Sequence, residues 1–332
     1  MQVHNAGVLN KLGKFNKRSF VRTLISQRTL IIMSVPLLLH RLLFSYFPLS
    51  GWVIAFQDFR PRFGFNPFQQ IIQNEFIGIQ NFLTLLDYST MVGERFLRSV
   101  RNTIGQSLLT LVVGYFCAIT LSLLLNEVKK VGVKRIIQNI LYLPHFLSWV
   151  IVASLASVSL SFPASGGIIN EVLLALGLIN EPIHFLAEAN MFWGIVAGTH
   201  LWKNLGWNTI IYLAAMTSID PTLYEAATID GANRYRKMWH ITLPCIRPTI
   251  IILLIMSVGW MLTSGFEIQW FLGNGLNITH SENIDIFILR YGISMNNFGL
   301  ATAAGIMRTG VSVFLLSSVN FLAGRLGQER LF

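Results

Sequence analysis

Residues 225–244 read Glu-Ala-Ala-Thr-Ile-Asp-Gly-Ala-Asn-Arg-Tyr-Arg-Lys-Met-Trp-His-Ile-Thr-Leu-Pro, a polar and basic island between two long apolar stretches. The segment 223–230 predicts a short helix on which Ala226 and Ala227 carry little bulk, so another surface can come close. Gly231 allows a sharp turn that a residue with a Cβ resists. A second short helix is expected to end at Pro244, because proline has no N–H and cannot continue a helix interior. An island of this kind fits a loop joining two membrane-crossing helices, and that reading decides the fold class.

Working outward, the composition agrees. The 332 residues are 53% hydrophobic and only 12% charged, with a mean hydropathy of +0.57. A soluble domain of this length needs more charge to cover its surface, so an all-α integral membrane protein is expected. The net charge of +10 does not point to nucleic acid, because the basic residues lie in short blocks between apolar spans, as topology determinants do. Cys117 and Cys245 are the only cysteines and make neither a disulfide framework nor a metal site. The first apolar run lacks a cleavage-site pattern after it and reads as a retained helix.

Six spans are expected, at about 29–56, 102–125, 136–161, 191–218, 248–272 and 301–322, since a bilayer core of about 30 Å needs roughly twenty helical residues. Residues 1–28 form a basic tail, 29–332 the membrane domain, and 219–247 the loop quoted above. Of the Lys and Arg residues, 16 fall in segments placed inside, 6 outside, and 3 (Arg41, Lys203, Arg308) within spans. That bias puts both termini and the loop in the cytoplasm. Pro36 and Pro48 are candidate kinks in the first span, and Pro144 in the third. Arg41 either snorkels or faces another helix. A phosphate-binding loop is faintly suggested by Gly7 to Lys14. It has the wrong spacing, Phe15 where a Ser or Thr is required, and no preceding strand, so it is rejected.

Polar residues inside spans usually face protein or a passage. Asn102, Gln106, Thr110 and Gly114 make one such stripe. His200, Asn204, Asn208 and Tyr212 make another on the fourth span, beside Lys203 and Trp207. Trp260, Thr263, Ser264, Glu267 and Trp270 are expected along one side of the fifth. Lys203 and Glu267 either line the passage or form a salt bridge that aligns two helices. Trp149, Trp207, Trp260 and Trp270 suit stacking on sugar rings, although tryptophans near membrane ends, Trp270 above all, also serve as interfacial anchors. Gly194 and Gly198 suit helix packing.

The spacing of Glu225, Ala226, Ala227, Gly231, Ile241, Leu243 and Pro244 resembles, at every fixed position, the loop signature of the permeases of binding-protein-dependent ABC importers. The stretches 51–59 and 76–82, with Tyr291-Gly292-Ile293, Ala303-Ala304-Gly305 and Asn320, resemble the polysaccharide-type branch. The resemblance implies the type I importer fold in the cytoplasmic membrane, and a transport subunit with no ATPase site of its own. The loop would be a coupling helix on a dimer of cytoplasmic ATPase subunits, which hold the ATP and magnesium; the chain itself needs no cofactor. Further implied partners are a second permease, in this branch usually a different chain, an extracytoplasmic solute-binding protein, membrane lipid and an oligosaccharide. Lys203, His200 and Arg308 within spans favour an acidic sugar such as alginate.

Two other classes are less consistent. A secondary transporter driven by an ion gradient predicts inverted repeats and mid-membrane carboxylates, whereas no repeat is visible and Glu267 is the only carboxylate well inside a span. A membrane enzyme needs clustered chemistry, whereas His40, His145, His184, His200, His240 and His280 are scattered.

Overall fold

Helices carry almost all regular structure in the computed structural model, which describes residues 26–61, 64, 66–165, 167–263 and 266–325. Most of the basic tail, Ser264 and the end of the chain with Arg330 lie outside the described residues. Among the described residues the one β-bridge, Gln57 with Phe76, is isolated. The chain divides at Val53 and Ile54 into two units.

The first unit is built on helix α1 (Arg28–Arg41), which continues through a π-turn (Leu42–Tyr46) into a 3-10 stretch (Phe47–Phe56). Pro36 lies inside α1, and no α1 side chain is buried. Arg41 settles on its own helix, with Nη1 donating to Ser45 Oγ at 3.5 Å in an exposed position.

The second unit starts with two short helices, α2 (Pro67–Gln73) and α3 (Gln80–Leu86). Helix α4 (Met91–Asn126) begins well before the expected Asn102. The Thr90 side chain accepts from the Gly93 amide at 3.0 Å and caps it, and Glu94 sits favourably in its first turn. Its 36 residues run about 54 Å at 1.5 Å per residue, so one end stands clear of a bilayer core.

The expected third span is bent. Helix α5 (Val131–Tyr142) leads into a 3-10 turn (Leu143–Phe146) with Pro144 in it, and α6 (Trp149–Ser159) departs at 101°. The short α7 (Ile168–Ala175) follows, then α8 (Phe192–Thr217). Gly206 lets α8 meet α5 closely: a Cβ there would lie 2.2 Å from the Leu141 carbonyl oxygen.

The loop holds α9 (Pro221–Ile229) and α10 (Arg234–Lys237), then a π-turn (Met238–Thr242) that passes directly into α11 (Leu243–Trp260). Pro244 therefore does not end a helix. It sits in the first turn of α11, where the missing N–H is tolerated. The expected fifth span is not one helix either. After α11 come a 3-10 turn (Met261–Thr263) and a separate α12 (Phe266–Leu272), so Trp260, Glu267 and Trp270 do not share a helix face. The Met261 carbonyl finds the Ser107 hydroxyl at 2.7 Å, which compensates the interrupted ladder. Helices α13 (Ile278–Ser281) and α14 (Ile284–Leu289) fold what was expected as an external loop, and α15 (Phe298–Arg325) closes the chain.

Among the described residues, four helices are long and apolar enough to cross a membrane, or five if the bent pair is one span. Six spans were expected; α8 falls short because its polar stripe lowers its hydropathy, not because it is short. Two apolar cores hold opposite ends of α4. One gathers Phe96, Phe287, Leu300 and Ala304; the other gathers Ala118, Leu125, Tyr212, Met216 and Ile246.

Candidate functional site

The loop is built from local caps. Asp220 is the N-cap of α9 and accepts from the Thr222 amide at 2.9 Å, and hydrogen bonding to Thr222 holds its carboxyl below the usual range. At the other end Gly231 has φ +72°. Its N–H donates to Thr228 O at 3.1 Å and that of Ala232 to Ala227 O at 2.9 Å, the Schellman pattern that left-handed glycine permits. Gly231 thus both stops the helix and turns the chain.

The signature residues separate by exposure. Glu225, Ala226 and Pro244 are exposed, Ala227 and Leu243 half-buried, and Ile241 packs against the Leu125 and Met216 core. Ile229, Tyr235 and Trp239 stand out as exposed apolar groups on the same segment. Two pairs of residues that the motif does not include tie the loop down. The Tyr224 hydroxyl meets Thr242 Oγ1 at 2.9 Å, with Thr242 buried. Lys237 Nζ donates to Thr228 Oγ1 at 2.6 Å. Sequence patterning missed both clips because the partners lie on different elements.

A cavity of about 400 Å³ lies between α4, α8 and α11, lined by Ser107, Thr110, Gly114, Tyr115, His200, Asn208, Tyr212, Ser257 and Trp260 among others. The Tyr115 hydroxyl reaches Ser257 Oγ at 2.8 Å. The two expected stripes are thus brought together only in part. Asn102 donates to the carbonyls of Thr279 and Glu282 at 3.0 and 2.9 Å, and Gln106 is hydrogen-bonded to Gln269, a residue the sequence reading missed. Thr110 and Gly114 reach the cavity.

On α8 the remaining polar residues hold the bend between α5 and α6. Lys203 Nζ donates to the carbonyls of His145 and Leu147 at 2.6 and 2.5 Å, groups freed where the helix breaks. Its ammonium lies 5.2 Å from the Trp149 ring, and Trp149 packs on His200 at 4.4 Å. His145 Nδ1 and Asn204 Oδ1 are 3.2 Å apart, and Trp207 stacks on His145 at 4.5 Å. Lys203 and Glu267 form no salt bridge, and Glu267 is exposed. Of the passage candidates, His200, Asn208, Tyr212 and Trp260 line this cavity; Trp149, Lys203, Asn204, Trp207, Glu267 and Trp270 do not. Arg308 is paired with Asp285, so it offers no unpaired charge to an acidic sugar. Gly194 and Gly198 line a second groove of about 570 Å³ between α6, α7 and α8, with open space where a Cβ would stand.

An ionic network holds the segment between α11 and α15. Glu282, 1% exposed, receives Arg95 Nε and Nη2 at 2.6 and 2.9 Å and Arg290 Nη1 at 2.6 Å. Thr103 Oγ1 accepts from the Ile284 amide at 3.0 Å. His280 lies beside Arg101 and Arg98, and burial followed by those two charges pushes its imidazole below the usual range.

Such a chain, helical and polytopic, with a lined cavity and a capped polar loop, has the build of a membrane transport component. Residues 110–328 match the family described as binding-protein-dependent transport system inner membrane component, and the chain belongs to that family. It is 39% identical over 319 residues to the polygalacturonan/rhamnogalacturonan transport system permease protein YteP of Bacillus subtilis (strain 168), covering 96% of this chain and 95% of that protein. It is also similar, at 34% identity and a TM-score of 0.81, to a chain of a bacterial ABC transporter involved in the import of the acidic polysaccharide alginate, over 92% of this chain and 99% of that one. A bacterial alginate ABC transporter in complex with an alginate pentasaccharide-bound periplasmic protein gives a TM-score of 0.82 at 34% identity, over 93% and 99%. The chain is a sugar importer permease of the ABC type, a multi-pass membrane protein, and the polysaccharide-type resemblance of its sequence is borne out.

Proposed function

We propose that this permease forms one half of the pore of an inner-membrane importer, with both termini in the cytoplasm, and carries acidic oligosaccharides received from an extracytoplasmic binding protein. A second permease, a different chain, completes the pore. The chain has no ATPase site or cofactor of its own. ATP and magnesium are held by a dimer of cytoplasmic ATPase subunits, and their closure enters the membrane domain through the Glu225–Pro244 loop.

One observation carries this reading: α9 is an exposed helix capped at both ends, clipped to the start of α11 through Tyr224 and Thr242 and joined to α8 by only three residues, Ser218 to Asp220. A short rigid helix held in this way converts a push at its surface into movement of the two helices that wall the cavity. Glu225 is the charge contact to the ATPase, and Ala226 and Ala227 allow close approach. Ile241, Leu243 and Pro244 transmit the motion into α11. The cavity residues His200, Asn208, Tyr212 and Trp260 contact sugar, with Trp149, Asn204, Trp207 and Lys203 shaping that wall from behind. Glu267 and Trp270 are exposed outside this cavity. The acidic substrate is supported by the alginate named for the matched structures; polygalacturonan is likewise a polymer of uronic acid.

Co-purification with the ATPase and transport in proteoliposomes test the coupling role. Glu225→Arg with Gly231→Val should lose both while the chain still inserts; normal assembly and transport would refute it.

A further inference from the structure

A third, smaller cavity of about 310 Å³ lies on the segment between α11 and α15. Its wall includes Gln269, Trp270, Asn274, Ser281, Glu282 and Arg290. Its size is at the lower end of the range of about 300–1,000 Å³ for ligand sites, suited to one or two sugar units of a longer chain.

The charge of this wall is unusual for the molecule. Two guanidiniums meet one carboxylate at Glu282, which leaves a surplus positive charge. Arg95 commits both Nε and Nη2 to that carboxylate, whereas Arg290 commits Nη1 alone and is 30% exposed. Three other cations of the membrane domain are engaged elsewhere. Lys203 is held by two backbone carbonyls, Arg308 by Asp285, and Arg101 by Asn102 and the Thr279 carbonyl. Arg290 lines this cavity and keeps a free fork of donors, the geometry that matches a carboxylate. Trp270 is 45% exposed on the same cavity and offers an aromatic face for the C–H side of a pyranose. Gln269 Oε1 is buried without a donor.

We infer that this cavity is a uronate subsite, in which Arg290 pairs with the sugar carboxylate and Trp270 stacks on its ring. It deepens, and rests on, the reading of the chain as a permease for acidic oligosaccharides. The subsite adjoins the intramembrane cavity through the Gln106–Gln269 bond, because Ser107 and Thr110 on the next turns of α4 line that cavity. The carboxylate is thus read at Arg290, on the way to a cavity whose polar groups are hydroxyls, an amide and an imidazole set among aromatic and aliphatic side chains.

The test is binding of a labelled uronate trimer, and of the same trimer with its carboxyls reduced to alcohols, to the complete transporter in nanodiscs without binding protein. Arg290→Gln should weaken the uronate trimer about tenfold, the scale of one charge-assisted hydrogen-bond pair, and leave the neutral trimer unchanged. Arg290→Lys should restore part of the loss, and Trp270→Ala should weaken both trimers. Equal loss of both trimers in Arg290→Gln, as a purely structural role through Glu282 would give, overturns the inference. So does wild-type binding and transport of the neutral trimer alone, which leaves the importer reading intact. Failure of the wild-type transporter to bind either trimer overturns both.

Discussion

The loop around α9 and the segment between α11 and α15 are organised in opposite ways. The loop is exposed, and short-range bonds hold it: Asp220 to Thr222, Thr228 to Gly231, Tyr224 to Thr242. The other segment is held from afar, by a buried carboxylate at Glu282 that reaches Arg95 on the start of α4. A loop that must accept a partner can move as a unit when its constraints are local. A segment that must keep its shape while α8 and α11 move is better fixed to the far end of the longest helix. Substitutions in the two regions should therefore fail differently, one in coupling and the other in stability.

The largest effect is expected at Glu282. Glu282→Ala leaves two guanidiniums facing each other and should cost about 3 kcal/mol, the lower end for a broken buried pair because both arginines are partly exposed. Thermal melting of the chain in nanodiscs measures it. Lys203→Met comes next, since the His145 and Leu147 carbonyls lose their donor at the bend. About 2 kcal/mol is expected, again read by melting. Equal uptake losses for neutral and acidic sugars in this variant would place Lys203 as a support of the bend and not a reader of charge.

Loop substitutions should cost less stability and more coupling. Gly231→Val forces a branched residue to φ +72°, at about 1–2 kcal/mol, and should raise the ATP hydrolysed per sugar imported. Tyr224→Phe removes the hydroxyl from buried Thr242 at about 1 kcal/mol, and should raise the same ratio without preventing assembly. An unchanged ratio would show that the Tyr224–Thr242 clip transmits nothing.

The smallest effect is one of pH. His280 is held neutral by burial and by Arg101 and Arg98. Its stabilising contribution is therefore present above its ordinary value near 6.5 and is lost as pH falls through its lowered folded value. Melting compared at about pH 7.5 and about pH 5 should show a drop that shrinks in His280→Gln.

The same contrast explains what the sequence could reveal. The loop was legible because its signature is contiguous, and Gly231 has the local geometry its residue type implies. The limits of α8 were legible because polar segments flank its apolar run, with Glu188 and Asn190 before it and Ser218 and Asp220 after it. The bend at Pro144 was legible, but not that Lys203 from another helix holds it. The start of α4 was not legible, because Arg95, Arg98 and Arg101 look like loop charges until Glu282 and the Thr279 carbonyl, far along the chain, supply partners for Arg95 and Arg101. Arg308 read as a free intramembrane charge because Asp285 appeared to lie in an external loop. The break after Trp260 was not read because Thr263, Ser264 and Glu267 fit a polar stripe on one helix as well as they fit an interruption, and Gln269 stood out only once Gln106 was found opposite.

The most direct test of the coupling role is a photocrosslink from the tip of α9. Ile229 is 87% exposed, so Ile229→Cys, made with Cys245→Ser to remove the exposed native thiol, can carry a thiol-linked photoprobe in the assembled transporter. An adduct with the cytoplasmic ATPase subunit that shifts in yield on ATP binding is the predicted result. An adduct only with the extracytoplasmic binding protein, or none with the ATPase in an assembly that still transports, would contradict it.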